Sequence, residues 1–428
     1  MAEKEVRTRE MVWVVDPKEK MLGPVADGGT IIAHTAPGCW GPMITPEGPS
    51  GHEVTRPVEV EGAQVGDAVA LRIKKIRVLS QATVSGTDQP REGFFTGDPF
   101  VAPRCPTCNI TNPPCRVEGT GEESIRCQEC GNPVTPFHLS SGYTMVFDHE
   151  SNTAITLDNE SSQKIPPRAE EMAAIPPEAK QFPINLWARG DLPGIISRIR
   201  PMIGNIGSCP SIPIPSSHNA GDFGQFLIGA PHQYSLEEEE LEQRTDAHLD
   251  ADEVRQGAIL IVPVKVPGAG IFLGDVHAMQ GDGEIAGHTT DVSAEVELEV
   301  EVIKGLNLEG PLLLPVPEDL PFLAQPHDST LRENAQRLGE QWGTTLEEAY
   351  PLQSFGSGAN LNDATENGLQ RIAELINIPV EEVKNRATIA GAISISRLPG
   401  VVQVTAMIPR SHLEKLGIFH LFQEQYPG

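Results

Sequence analysis

Aromatic side chains make up only 5% of the 428 residues, which leaves little material for stacking platforms against bases or sugars. Long apolar runs are missing as well, since no stretch approaches the roughly 20 residues of a membrane helix. The opening residues Met1 to Glu10 are rich in Arg, Glu and Lys and lack the apolar centre of a secretory signal. Positive charge is in short supply, with 32 Lys and Arg against 59 Asp and Glu and a net charge of −27. A surface of that sign repels phosphate backbones and anionic lipid, which argues against nucleic-acid and membrane partners. There is no G-x-S-x-G elbow, no Walker-type phosphate loop and no G-x-G-x-x-G after a strand. The Gly-Ser-Gly-Ala run at 356–359 lacks the Ser-Lys context of a Ser-Ser-Lys amidase. Cysteines number seven, an odd count with four closely grouped, which points to metal binding in a reducing compartment and not to a disulfide framework. The expectation is a soluble, cytoplasmic protein.

Turn formers are abundant. The 41 Gly and 38 Pro approach a fifth of the chain, too many for a helical bundle and fitting for short strands joined by turns. With 39% hydrophobic residues there is ample core material. Ala68-Val-Ala-Leu-Arg-Ile-Lys alternates, with Val69, Leu71 and Ile73 on one face and Ala70, Arg72 and Lys74 on the other. Ala294-Glu-Val-Glu-Leu-Glu-Val-Glu-Val302 alternates strictly, so one face meets a core and the other water. Ala258 to Val266 reads as a buried strand in which Pro263 suggests a bulge or an edge. Helical spacing comes late. Leu369, Ile372, Ala373 and Ile376 share a face behind a cap at Asn362, Asp363 or Thr365, and Pro379 opens a further helix carrying Val380, Val383 and Ala387. Gly400 to Met407 returns to a strand pattern. The reading is mainly β with an α+β C-terminal portion. It divides into an N-terminal β region (1–98), an inserted module (99–137), a β core carrying the polar turns (138–310) and the C-terminal region (311–428). Glu237 to Asp252, which ends in Ala-His-Leu-Asp-Ala-Asp, reads as an acidic insertion with a solvated face.

Cys105-Pro-Thr-Cys108 and Cys127-Gln-Glu-Cys130 form two C-x-x-C pairs separated by an eighteen-residue spacer. Each pair sets two thiolates on one side of a knuckle, and two knuckles complete a tetrahedron around Zn²⁺, the pattern of a zinc ribbon. Gly131 follows the second pair, where such a turn favours glycine. Four thiolates leave no open position, so this zinc is structural. Cys115 has no partner at knuckle spacing, and the loop carries only Arg104, Arg116 and Arg126 as basic residues, few for a nucleic-acid surface.

The segment that concentrates chemistry is Gly274-Asp-Val-His-Ala-Met-Gln-Gly-Asp-Gly-Glu284. Alternation in extended backbone puts Asp275 and His277 on one face, and after the turn Asp282 and Glu284 share another. Imidazole and carboxylates suit a borderline divalent metal that keeps a position for water, and a nearby glutamate can serve as general base. The bland alternative is a Gly-rich hairpin with solvated acids. Ser216-Ser-His-Asn-Ala-Gly-Asp-Phe-Gly224 adds His218, Asn219 and Asp222, and Gly51-His-Glu53 adds His52 and Glu53. Cys39 and Cys209 are the remaining candidates for a thiol nucleophile.

Taken together these turns resemble the acetamidase/formamidase family. The eleven residues from Gly274 to Glu284 match its signature G-D-x-H-A-x-Q-G-D-G-E. Arg200-Pro-Met-Ile-Gly-Asn-Ile-Gly-Ser is similar to its P-M-I-G-x-I-G segment, and Arg56-Pro-Val-Glu-Val-Glu-Gly-Ala-Gln-Val-Gly-Asp67 to its G-P-I-x-V-x-G-A-x-P-G-D segment. The helices and last strand from Ile378 through Ile408-Pro-Arg also follow it, so the resemblance runs from about residue 50 to 415. It implies a β-sandwich, jelly-roll-like fold in homo-oligomers, dimers or higher, that hydrolyse short linear amides to carboxylate and ammonia. It also implies an active-site divalent metal, zinc or calcium. Carried over, Glu284, Asp282 and His277 are the catalytic candidates, Gln280, Asn219 and Gly204 the substrate-binding ones, and His277, Asp275, His218 and Asp222 the metal ligands. In this reading a metal-activated water attacks the carbonyl while Glu284 moves the proton to the leaving amine. The family's G-G-N-x-D segment reads Asn219-Ala-Gly-Asp222-Phe-Gly here, and the cysteine module and acidic stretch are additions. Either addition leaves room for a carbamoyl, urea-like or larger amide, or for a metal-stabilised binding protein without activity.

Overall fold

The strict alternation of Ala294–Ile303 survives folding: Val296, Leu298 and Val300 are fully buried and the glutamates between them reach the surface. This strand pairs antiparallel with Ala68–Val78 on one side and Leu22–Thr35 on the other. The computed structural model describes residues 2–38, 45–218, 220 and 227–427, and there these three strands lie inside a 15-stranded mixed sheet. A four-stranded sheet and two two-stranded ribbons accompany it. The chain is mostly β, and its long helices all follow residue 328.

Ala68–Val78 departs from simple alternation, since Ala68, Val69, Ala70 and Leu71 are all buried. The reason is a core on each face. Val69, Leu71, Leu260 and Val262 join one cluster, while Ala70, Ile259, Ile261 and Leu312 join a second that includes the late helices. Ile259–Pro263 pairs with Ala68–Val78 in regular register, so Pro263 closes a strand without a bulge. The sheet continues without a break through Leu312–Leu314 and Ala349–Ser357 to Val401–Pro409 and the edge strand Ala392–Arg397. The helix Leu361–Ile376 buries Leu369, Ile372, Ala373 and Ile376 as its spacing predicts. Its cap is Asn360, two residues before the first candidate the sequence suggested, because that side chain accepts from the N–H groups of both Asn362 and Asp363. Val380–Ala390 follows, with Pro379 at its N-terminal boundary. One helix the pattern did not indicate, Ser329–Trp342, buries none of its residues. Among the described residues no helix is long and apolar enough to cross a membrane.

The acidic stretch needs correction as an insertion. Only its first half, Glu238–Gln243, is a surface turn. From Arg244 to Ala251 every residue is buried, because this segment lies along Met202–Ser208. Ile206 N–H donates to Ala247 O, and Leu249 and Asp250 N–H both donate to Gly204 O.

The cysteine knuckles form as read. Cys115–Val117 pairs with Ile125–Cys127, and Asn109 and Gly131, each directly after a knuckle's second cysteine, take left-handed φ of 60° and 72°. The sulfur contacts Cys105–Cys130, Cys108–Cys127 and Cys108–Cys130 measure 3.4, 3.7 and 3.9 Å. Ligands of one tetrahedral zinc stand about 3.8 Å apart. Cys115 is elsewhere engaged, its thiol donating to Pro113 O at 2.9 Å.

Candidate active site

The polar turn gains its neighbours through strand pairing. Ile271–His277 lies antiparallel to Met202–Ser208, and its end also pairs with Asp291–Val292, which sets Asp291 opposite His277. Val54 pairs with Gly274 and so brings His52 and Glu53 alongside. The buried stretch after Arg244 delivers His248 and Asp250 from the other side of Met202–Ser208. Finally, Arg397 of the far edge strand bridges to Gly283 and enters from the C-terminal region.

The result is a buried knot of donors. Asp275 Oδ2 lies 3.3 Å from His52 Nε2 and 3.2 Å from His248 Nε2. His277 Nε2 lies 3.3 Å from Asp275 Oδ1 and 3.2 Å from Asp291 Oδ1. His248 Nε2 is 3.1 Å from Asp250 Oδ2. Arg397 Nε is 3.2 Å from Asp250 Oδ2 and 3.7 Å from Glu284 Oε2. All of these residues are buried.

Backbone geometry is constrained around them. Asp250, Asp275 and Glu284 have φ of 47°, 52° and 43°, a left-handed conformation that side-chain-bearing residues adopt at a cost and that gathers at functional sites. Gly204 is required for clearance, since a Cβ there would collide with Asp250 Oδ1 and crowd Asp275; a Cβ on Gly38 would strike Asp275 Oδ1. Gly204 therefore lies directly beneath the carboxylates.

Electrostatics follow from burial. Burial opposes charge on both His277 and Asp275, yet their neighbours prevail: His52 and then His277 hold Asp275 well below its ordinary range, and Asp275 with Asp291 pushes His277 well above. His248 is raised to about 10, against the pull of burial, by Asp250 and Asp275. Burial pushes Asp291 up to about 7, and burial together with Asp250 pushes Glu284 well above the usual carboxyl range. The carboxylates thus recruit positive charge onto the imidazoles, a role a metal cation fills as well.

Several observations fit such a cation. His248 Nδ1 lies 2.9 Å from Ser217 O and His277 Nδ1 lies 2.9 Å from Gln280 Oε1. Both partners are acceptors, so each Nδ1 carries a hydrogen and the lone pair of the neutral ring is on Nε2, facing the carboxylates. His277 Nε2 and both ring nitrogens of His52 are buried without a hydrogen bond of acceptable geometry. Such orphaned nitrogens beside carboxylate oxygens suit ligation better than hydrogen bonding.

Of the residues singled out in the sequence, Asp275, His277 and Glu284 converge here, and His52 joins them. Gln280 stands behind His277, its Oε1 taking the imidazole and its Nε2 donating to Asp250 O at 2.6 Å. Glu53 anchors a neighbouring loop by accepting from the N–H groups of Lys180 and Gln181. Asp282 is exposed and outside the knot. His218 belongs to a different buried group with Asp98, at 2.9 Å, and His232. Cys209 is buried and its thiol is pushed up to about 12 by burial, which leaves no thiolate near neutrality. Asn219, Asp222 and Cys39 lie outside the described residues. The pattern did not single out His248, Asp250, Asp291 or Arg397. A signal for two of them existed: in Asp246-Ala-His-Leu-Asp-Ala-Asp252 polar and apolar residues alternate as in a strand.

The family model described as Acetamidase/Formamidase family matches residues 42–415. Among solved structures, a recombinant predicted acetamidase/formamidase from the thermophile Thermoanaerobacter tengcongensis is 19% identical with a TM-score of 0.54, covering 97% of this chain and 98% of that one. An acetamidase from Bacillus halodurans is 18% identical with a TM-score of 0.52, covering 96% and 99%. An acetamidase from Yersinia enterocolitica is 15% identical with a TM-score of 0.52, covering 94% and 90%. At these identities the likeness is one of fold. No curated protein matches the chain in sequence.

Proposed function

The chain belongs to the acetamidase/formamidase family, whose members hydrolyse amides, and on that premise we propose that it cleaves the C–N bond of a short linear amide of the formamide or acetamide type to carboxylate and ammonia. The observation that carries this reading is the buried knot of His52, His248, His277, Asp275 and Asp291 with Glu284 and Arg397 at its edge.

An amide resists hydrolysis because its carbonyl is a poor electrophile and its amine leaves only when protonated. A divalent cation held by these histidines and aspartates supplies, when bound, polarisation of the carbonyl and acidification of a water. The second difficulty falls to Glu284. Burial, with Asp250 adding to it, lifts its carboxyl well above the usual range, the direction in which a carboxyl gains proton affinity and can serve in proton transfer. Glu284 receives the proton of the attacking water and returns it to the amine nitrogen. Arg397 Nε, 3.7 Å away, restrains Glu284 while pairing with Asp250. Gln280 holds the His277 ring in the tautomer that offers Nε2. The four knuckle cysteines would hold a structural zinc, a group apart from the histidine and aspartate donors.

The test is ammonia release from formamide, acetamide, propionamide and urea, before and after chelation. We expect turnover of at least one amide, lost on chelation and restored by added divalent metal. Glu284→Gln should lower kcat by about 10²–10⁴-fold with an unchanged far-UV spectrum. Undiminished release by that variant, or none from any of the four compounds, would overturn the assignment.

A further inference from the structure

The strand Ile196–Arg198 forms an edge of the four-stranded sheet, paired with Thr153–Thr156. Alternation puts Ile196 and Arg198 on one face, and both are exposed, Ile196 to 75%. Ile195 is 50% exposed beside it. Ile195 and Ile196 line a cavity of about 550 Å³ together with Leu192, Met145 and Met279, and Gln280 is part of its wall. A volume of that size, apolar with few polar groups, is that of a small-molecule site.

The polar groups of the wall are mostly engaged. Thr289 and Thr290 Oγ1 donate to Met279 O, and Thr156 Oγ1 donates to Leu192 O. Arg200 pairs with Asp319 at 2.7 Å and with Asp252 at 3.6 Å. Arg198 also lines the cavity, and among the described residues no ion pair or side-chain hydrogen bond occupies its guanidinium. That is unusual in a chain with 59 acidic and 32 basic side chains. From this pairing of an apolar lining with an unclaimed arginine we infer that the cavity binds a medium-chain aliphatic carboxylate. The chain lies along the isoleucines and methionines, and the carboxylate meets the Arg198 guanidinium, whose planar fork matches it.

The cavity stands behind His277. Gln280 Oε1 takes the Nδ1 hydrogen of that imidazole at 2.9 Å and Gln280 Nε2 donates to Asp250 O, whereas His277 Nε2 faces Asp275 and Asp291. A bound carboxylate therefore packs on the side chain that fixes the ring and stays off the face where an amide reacts. By excluding water from the Gln280–His277 hydrogen bond it strengthens that bond. The ligand is thus an effector that speeds turnover, a consequence that rests on the amidase reading, while the binding itself does not.

The experiment is a calorimetric titration of full-length, metal-saturated protein with octanoate, and with acetate, butyrate, octanol and octylammonium for comparison. We expect one octanoate per chain, affinity rising about two- to fourfold per methylene along the acids, and no saturable binding of octylammonium. Arg198→Gln should weaken octanoate by about tenfold or more, Ile196→Asp should abolish its binding, and both variants should keep the wild-type rate of ammonia release. Absence of saturable binding, octanol held as tightly as octanoate, or undiminished binding by Ile196→Asp would each overturn the inference. A wild type that ignores octanoate, with a smaller mass in solution for Ile196→Asp, would assign this face to a second copy of the chain instead. With octanoate, kcat should rise by about fivefold in the wild type and stay level in Gln280→Ala at saturating metal. An unchanged kcat, an equal rise in both proteins, or a rise in KM alone would overturn the placement behind His277. Octanoate binding without ammonia release from any amide would sink the amidase reading and leave the site standing.

Discussion

Single atoms decide the site. Asp275 and His277 were legible because they alternate in extended backbone within a distinctive motif, and Glu284 because it closes that motif. Position in sequence could not show that Asp282, two residues earlier, would face solvent, nor that Gln280 would turn behind His277. The motif gave Gln280 as a substrate-binding candidate, and in the structure its amide lies between His277 Nδ1 and Asp250 O, so we propose that it orients the imidazole. Gln280→Ala should weaken divalent-metal affinity by about 10–100-fold, the usual effect of losing a ligand's orienting partner, and leave KM unchanged once metal is saturating. A KM that rises at saturating metal would mean that Gln280 touches the amide. Arg397 had no signal at all. It lies more than a hundred residues beyond the motif, and only the bridge to Gly283 brings it in.

Elements were read well where one periodicity ruled and less well where both faces were buried. Ala294–Ile303 alternates as written, whereas Ala68–Val78 carries core on both faces because late helices cover the side that alternation assigns to water. The acidic stretch misled through composition: four consecutive glutamates drew the eye from the alternation that follows them. The cysteine module was the most legible element, since two knuckles at ribbon spacing leave few other folds. It is tied to the body by Asn112, whose amide donates to Pro46 O and Gly48 O, and by Cys115 N–H donating to Glu47. Cys127 is fully buried among Phe100, Ile125 and Phe137. Cys127→Ser should therefore lose one zinc per chain and lower the melting temperature, while the metal of the histidine site stays bound. Unchanged zinc content in that variant would remove Cys127 from the ligand set.

At the scale of the molecule, charge holds distant parts of the sequence together. Asp67 accepts from Lys304 Nζ at 2.8 Å and from the backbone of Gly305 and Gln64, each at 2.9 Å. Burial alone would raise its pKa, but these donors hold it below the ordinary value. A depressed folded-state pKa gives stability that is present above the unfolded value, near 4, and lost as pH falls through the folded one. Asp67→Asn should cost about 1 kcal/mol at pH 7, modest because Lys304 is largely exposed. The gap to wild type should close in acid, and an equal gap at pH 7 and pH 3 would show that charge is not its source.

The sequence suggested a C-terminal region beginning near residue 311, and the continuous sheet argues that this region is not a separate unit. Asp246, two residues from His248, is held by Arg244 at 2.7 Å and by Arg371 of the helix Leu361–Ile376, also at 2.7 Å. Ser357 Oγ donates to the same carboxylate at 2.9 Å, and Arg371 Nη1 donates to Phe355 O at 2.8 Å. Asp246, Arg244 and Arg371 are all buried, so removing one partner leaves charge without full compensation, a loss of roughly 3–5 kcal/mol. Arg371→Ala should lower stability by about that amount in a single transition, because the same contacts join the late helices to the stretch carrying His248 and Asp250. A melt that splits into two steps would instead show a C-terminal unit that folds by itself. It would then be hard to see how Arg397, carried by that unit, keeps its place 3.2 Å from Asp250. One transition ties the stability of the whole sheet to the geometry of the site.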